Sequence, residues 1–267
     1  MSACMDGLKD RVVLVTGASA GIGYQTALTF AREGCRVSVC ARRGDRLAEL
    51  AREIESAGGQ CLAATLDVAD RDAMVAMVDA TVKRWGRLDI AVANAGYGLL
   101  ARVEDIEKKE MERIWSVNFL GTLWTVQAAL PAMKNRGEGH IVMVSSVVGR
   151  HAIPLSGAYC VTKFSQTALG QALRPELRKS NIGVTMVYPG FTDTEFGEKQ
   201  LHPERRKRVL RKAQSPADVA RRIVSAVRRN RKEIYPSFTG SLFARLGLWF
   251  PWLADEVVSR MVRRMEN

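Results

Sequence analysis

Tyr159-Cys-Val-Thr-Lys163, with Ser146 thirteen residues upstream, sets a phenol, an ammonium and a hydroxyl where together they could hand a proton to a carbonyl oxygen. The flanking residues read as helix, and residues four apart on a helix lie on one face, one turn apart. Lys163 can then hold a positive charge near Tyr159, favour the phenolate, and draw the phenol down from its ordinary value of about 10. A general acid/base working near neutral pH needs that tuning. Alone, Tyr-x-x-x-Lys is a weak signal, because any long helix can carry it by chance.

Its weight depends on the elements that must position these groups. Short apolar runs alternate with amphipathic stretches along the chain. Residues 11–16, 35–40, 61–66, 88–93, 140–145 and 182–188 read as strands, with a short seventh at 232–235. Helices are predicted over about 21–33, 43–57, 70–85, about 110–135, 157–179 and 216–230, the last opened by Ser215-Pro216 as N-cap and first helical residue. Such βαβ alternation with uniformly apolar strands predicts an α/β fold, a parallel sheet covered on both faces. Neither an internal repeat nor a linker interrupts it, so one domain is expected over 1–237, with 238–267 as an apolar, amphipathic extension of it.

A second chemical feature stands between the first strand and the first helix. In Thr16-Gly17-Ala-Ser19-Ala-Gly21-Ile22-Gly23 the missing side chains allow a tight turn and let backbone N–H groups approach a pyrophosphate at a helix N-terminus. After the first strand of an alternating βα chain this is strong evidence for a dinucleotide. The end of the second strand selects which one. A free adenosine 2′-OH is usually met there by a carboxylate, but the chain reads Cys40-Ala41-Arg42-Arg43. Arg42 could pair with a 2′-phosphate through charge-assisted bonds, so NADP(H) is expected over NAD(H).

Size, charge and cysteines set the bounds. At 267 residues and 47% hydrophobic, the chain can bury a large core. Cys4, Cys35, Cys40, Cys61 and Cys160 form no C-x-x-C pair, and three of them lie in or beside strand-like runs, which favours buried thiols over disulfides or zinc. With no apolar leader and no run of eighteen apolar residues, a cytoplasmic protein is expected. Residues 201–232 hold twelve Lys/Arg against Glu204 and Asp218, most of the net +12. This segment reads as a solvated face. It lacks the interleaved aromatics of a nucleic-acid binder, so no specific nucleic acid is expected. The tail 238–267 is rich in Phe, Leu and Trp. It reads as packing on the body or on a partner subunit, or as a peripheral membrane contact shared with the basic segment.

With the glycine loop, Asn94-Ala95-Gly96, Asn118, Ser146 and Tyr159-x-x-x-Lys163 in this order, the chain resembles a compact short-chain dehydrogenase/reductase from about Val12 to Thr194. The resemblance implies a Rossmann-type doubly wound sheet of about seven strands in the order 3-2-1-4-5-6-7. It assigns Thr16, Gly17, Ser19, Gly21, Ile22, Gly23 and Arg42 to the cofactor, and sets Asp67 and Val68 beside the adenine. Asn94, Ala95 and Gly96 close the adenosine side, while Pro189, Gly190 and Thr194 line the nicotinamide. Ser146 orients the carbonyl, Tyr159 donates the proton, and Lys163 holds the ribose and lowers the Tyr159 pKa. Asn118 holds a water that relays protons to Lys163. Ala20 stands where many NADP(H)-using members carry a second basic residue.

The expected activity is interconversion of a carbonyl and a secondary alcohol. Residues 191–213 are expected to form a lid, with Leu99, Leu155, Tyr188, Phe191 and Phe196 facing an apolar, lipid-, steroid- or aromatic-ketone-like substrate. A homodimer or homotetramer is implied, pairing the helices at about 110–135 and 157–179. The alternatives are an NAD-dependent alcohol dehydrogenase acting on a small polar substrate, or a non-catalytic protein that binds a dinucleotide, nucleic acid or a membrane surface.

Overall fold

The computed structural model describes residues 7–195 and 213–249, together with Trp252 and Glu256. Seven parallel strands form one sheet in the order β3-β2-β1-β4-β5-β6-β7. They are β1 Val12–Thr16, β2 Arg36–Ala41, β3 Gln60–Thr65, β4 Ile90–Ala93, β5 Gly139–Val144, β6 Ile182–Val187 and the two-residue β7 Glu233–Ile234. β1, β4, β5 and β6 are buried along their whole length, as strands covered on both faces must be. Only β3, at the sheet edge, alternates between covered and exposed residues.

Eight helices surround the sheet in the described chain: α1 Gly21–Arg32, α2 Gly44–Ser56, α3 Arg71–Trp85, α4 Lys108–Trp115, α5 Gly121–Arg136, α6 Gly157–Glu176, α7 Pro216–Arg228 and α8 Phe238–Trp249. One core layer joins Ala27, Phe30, Leu47, Leu50, Val219 and Ile223, and so places α1, α2 and α7 on one face. The other joins Met74, Met77, Val126, Met133 and Leu173, and so places α3, α5 and α6 opposite. Local chemistry sets the helix starts. Asp70 accepts hydrogen bonds from the N–H groups of Asp72 and Ala73 at 3.0 Å, and Ser215 accepts from Ala217 at 3.2 Å with Pro216 following.

The predicted helix at 110–135 is divided. α4 and α5 are joined by a π turn, Ser116–Leu120, that contains Asn118. At its end Gly121 meets Val68, whose Cβ lies 3.1 Å from where a Cβ on Gly121 would stand. This crossing brings the π turn against the end of β3. Cys35, Cys40, Cys61 and Cys160 are buried free thiols. Of the expected lid, 196–212 lies outside the described residues, as does most of 250–267. Among the described residues no helix is long and apolar enough to cross a membrane.

Candidate active site

The glycine loop begins where β1 ends. Gly17 has φ +66°, and a Cβ there would stand 2.7 Å from Ala95 Cα; one on Gly23 would stand 2.5 Å from Asn94 Nδ2. The loop therefore presses against the end of β4, and Thr16 is the rivet. Its Oγ1 donates to the Val92 carbonyl at 3.3 Å and accepts from the N–H groups of Asn94 (3.0 Å) and Ala95 (3.1 Å). Asn94 Nδ2 returns a bond to the Thr16 carbonyl at 2.9 Å. Thr194 closes the far side, its Cγ2 2.8 Å from a notional Cβ on Gly21. Thr16, Gly17, Gly21, Gly23, Asn94, Ala95 and Thr194 thus share one corner at the carboxyl end of the sheet. Ile22 packs against the core beneath it.

At the end of β2, Arg42 is exposed, and its charge reaches Asp67 and Tyr97. Its neighbour Arg43 makes the direct contacts. Nε and Nη2 donate to Ser19 Oγ at 3.2 Å, and Nη1 donates to Glu195 at 2.6 Å. Asp67 accepts from the Ala69 N–H at 3.0 Å and from Arg113. Partial burial pushes the Asp67 carboxyl up, but the hydrogen bonds from Arg113 and Ala69 outweigh it and hold the group below its ordinary range. Val68 is buried in the core rather than open to a ligand surface.

Ser146, Tyr159 and Lys163 lie one strand further on, at the end of β5 and on α6. Ser146 follows β5, where its Oγ accepts from Val148 N–H at 3.3 Å and donates to the Pro189 carbonyl at 3.4 Å. Ser146 also acts on the Tyr159 phenol, drawing its pKa down against the rise that burial imposes. Its neighbour Ser145 is turned inward, donating to the Lys163 carbonyl at 3.0 Å, which leaves Ser146 as the hydroxyl that meets Tyr159. Lys163 is 3% exposed, and its Nζ stands 5.5 Å from the Tyr159 ring centroid.

The electrostatics differ from the sequence expectation. Burial raises the Tyr159 pKa above its ordinary value, against a lowering by Ser146. Burial also pulls Lys163 down to about 7. Its ammonium goes to the Val144 carbonyl at 2.9 Å and to Gln166 Oε1 at 3.0 Å. Spacing along a helix brought the two groups to one face, but desolvation acts on both and is the larger effect.

Asn118 stands beside this pair. Its side chain accepts from Tyr97 N–H at 2.9 Å and donates to the Tyr97 carbonyl (2.8 Å) and to Thr162 Oγ1 (3.1 Å). Its backbone carbonyl, freed by the π turn, accepts from Gln166 Nε2 at 2.7 Å and Thr122 Oγ1 at 2.8 Å. A carbonyl has two lone pairs, and both are taken. Gln166 links this carbonyl to Lys163.

Tyr188 is a further correction. It has no exposed surface, stacks on Tyr235 with ring centroids 4.9 Å apart and lies under the Arg150 guanidinium at 4.5 Å. It is a core residue, not a cleft wall. Leu99 and Leu155 are half-buried and Phe191 is exposed, while Phe196 lies outside the described residues. Leu155 adopts φ +62°, an unusual conformation for leucine, just before α6. Gly190 N–H donates to Gln214 at 3.3 Å, which fixes the start of the segment leading to Thr194.

The family model for short chain dehydrogenase matches residues 11–205. The chain belongs to the short-chain dehydrogenase/reductase family. Among its relatives, an uncharacterized oxidoreductase of Staphylococcus saprophyticus is 35% identical over 189 residues, 70% of this chain and 80% of that one. Mouse dehydrogenase/reductase SDR family member 7B is 28% identical over 96% of this chain and 83% of its own. Glycine betaine reductase of Emericella nidulans is 36% identical over 225 residues, yet the chain spans only 18% of that protein's length. The alcohol dehydrogenase of the archaeon Thermococcus sibiricus, solved with 5-hydroxy-NADP, matches with a TM-score of 0.76 at 28% identity, over 85% of this chain and 96% of that one.

Within this short-chain dehydrogenase/reductase site, three residues escaped the sequence reading. Gln166 could have been found, since it lies three residues after Lys163 on the same face of α6. Arg43 was visible beside Arg42, but nothing in the chain order said which of the two would turn to Ser19. Arg113 reaches Asp67 across 46 residues, a pairing that only the fold creates.

Proposed function

We propose that the chain is an NADP(H)-dependent oxidoreductase interconverting a carbonyl and a secondary alcohol, with Tyr159 as general acid/base. The Lys163 ammonium 5.5 Å from the Tyr159 ring, with Ser146 drawing the same phenol down, is the observation that carries it. The neighbouring corner fits a dinucleotide. A Cβ on Gly17 or Gly23 would collide with Ala95 or Asn94, so only glycine lets the turn close this tightly, and it opens at the N-terminus of α1, where N–H groups attract phosphate. The glycine loop would hold the pyrophosphate, with Asp67 near the adenine and Gly190 and Thr194 near the nicotinamide. Ala41 leaves the acidic position empty of charge, while Arg42 and Arg43 with Ser19 would receive a 2′-phosphate. When bound, the cofactor supplies or accepts the hydride.

In reduction, Tyr159 gives its proton to the developing alkoxide. Ser146 donates to the same oxygen and fixes its position. Lys163 stabilises the phenolate left behind. Leu99, Leu155 and Phe191 favour an apolar ketone or alcohol as substrate. A screen of ketones and aldehydes graded by size and polarity, followed as NADPH consumption with NADH in parallel, tests this. Turnover of apolar ketones with NADPH is expected, and no oxidation of either nucleotide with any carbonyl would overturn it.

Two assembly readings accompany the activity. Val161 and Phe164, three apart on α6, are 48% and 42% exposed and support self-association through that helix. On α8, Gly240 and Ala244 face the body, while Leu242 and Trp249, seven apart on the other side, are 51% and 78% exposed. That face supports peripheral contact with a bilayer surface.

A further inference from the structure

We propose that Gln166 is a positioning residue for the Lys163 ammonium, its buried amide holding that charge beside Tyr159 and tying it directly to the carbonyl of Asn118. The inference rests on the proposed role of Lys163 in stabilising a Tyr159 phenolate.

Gln166 has no exposed surface and sits between α6 and the π turn. Its oxygen accepts from Lys163 Nζ at 3.0 Å. Its nitrogen donates to the Asn118 carbonyl and to Thr122 Oγ1, both at 2.7 Å. The neighbours force this orientation of the amide. An ammonium can only donate, so it must meet the amide oxygen; a carbonyl can only accept, so it must meet the amide nitrogen. With both N–H groups committed, the amide passes no proton from Lys163 toward Asn118. Its contribution is electrostatic and geometric. The oxygen dipole stabilises the charged form of a lysine that burial disfavours, and the two N–H bonds lock the amide to the turn that carries Asn118.

The groups around Lys163 leave the amide little competition. From its own helix it faces Tyr159, from β5 the Val144 carbonyl, from the segment after β4 the Gly96 backbone, and from the π turn Asn118. Of these only Tyr159 titrates. Among the described residues no carboxylate stabilises the Lys163 charge, whose perturbation comes from burial alone.

Gln166→Met keeps the length of the side chain and removes all three bonds. The Lys163 titration, read by NMR of Lys-13Cε-labelled protein, is expected to move down by about one to two pH units, the size of one hydrogen bond to a charged group. The basic limb of kcat/KM for carbonyl reduction is expected to move with it. Thr122→Val, which takes a partner from the same amide but leaves the bonds of Lys163 intact, is expected to lower Tm without moving either titration. In the unmodified protein, the Gln166 side-chain amide signal is expected to inflect at the Lys163 midpoint. A folded Gln166→Met protein with an unmoved Lys163 titration overturns the proposal. If that variant does not fold, a Gln166 amide signal blind to the Lys163 midpoint does so. If no carbonyl is reduced, or Tyr159→Phe is as active as the parent, the functional reading fails, while the two NMR titrations still decide the role of Gln166.

Discussion

At the scale of single residues, the site works against its own desolvation. Tyr159 and Lys163 are both pushed toward their neutral forms by burial, and the Ser146 hydroxyl, the Val144 carbonyl and the Gln166 amide oppose that push. Removing the phenol oxygen while keeping the ring removes the proposed proton donor alone. Tyr159→Phe is therefore expected to lower the rate of NADPH-linked carbonyl reduction by about 10²–10⁴-fold, with Tm and dinucleotide affinity little changed; normal turnover by a folded variant would refute the assignment. Lys163 makes a second claim, about stability. Its folded pKa of about 7 lies below the ordinary 10.5, so the unfolded chain binds more protons between those values and stability rises as pH climbs through that window. Below about 7 the buried ammonium carries its full desolvation cost. Lys163→Met is expected to be inactive yet more stable than the parent at pH 6.5, with the advantage shrinking by pH 9.5, as measured by urea midpoints at the two pH values. An advantage that is constant with pH would contradict the assigned burial effect.

At the scale of elements, the strands and most helices were legible because each carries its own signal. β1, β4, β5 and β6 are short, mostly apolar runs, and α7 announces its start with Ser215-Pro216. The division of 110–135 into α4, a π turn and α5 was not legible. Its sequence is continuously helix-compatible, and the interruption reflects contacts made elsewhere, with Val68 at Gly121 and Gln166 at the Asn118 carbonyl. The glycine loop is the opposite case, where local conformation and tertiary contact demand the same residue. Gly17→Ala would have to hold alanine at φ +66° and place a Cβ 2.7 Å from Ala95 Cα. Nucleotide affinity measured by calorimetry is expected to fall at least tenfold, with a drop in Tm, and unchanged binding would show that the loop does not hold the cofactor.

At the scale of the whole molecule, the parallel sheet gathers chain segments more than a hundred residues apart at one edge. β1 delivers the glycine loop, β4 delivers Asn94, and β5 delivers Ser146 against α6. Apolar surface left over from that assembly carries the proposed partner contacts. Phe164→Asp puts a charge on the exposed face of α6 and is expected to shift the protein to a smaller species in light scattering after size exclusion; an unchanged mass would exclude that face from an interface. Trp249→Ala is expected to reduce pelleting with anionic phospholipid vesicles, and equal pelleting would reject α8 as the contact.

Residue types and spacing were enough to establish the strand–helix alternation, the glycine turn, the Ser146, Tyr159 and Lys163 set, and the lack of an acid after β2. All of these depend on neighbours within a turn or a strand, or on a motif that survives as a pattern. The fold alone turned Arg43 rather than Arg42 to Ser19, buried Tyr188 in an aromatic stack with Tyr235, saturated Asn118 and set Gln166 against Lys163. Each of these outcomes turns on which long-range neighbour reaches a polar group first once water is excluded, and burial then sets the charge state of Tyr159 and Lys163 in a way that spacing along a helix does not encode.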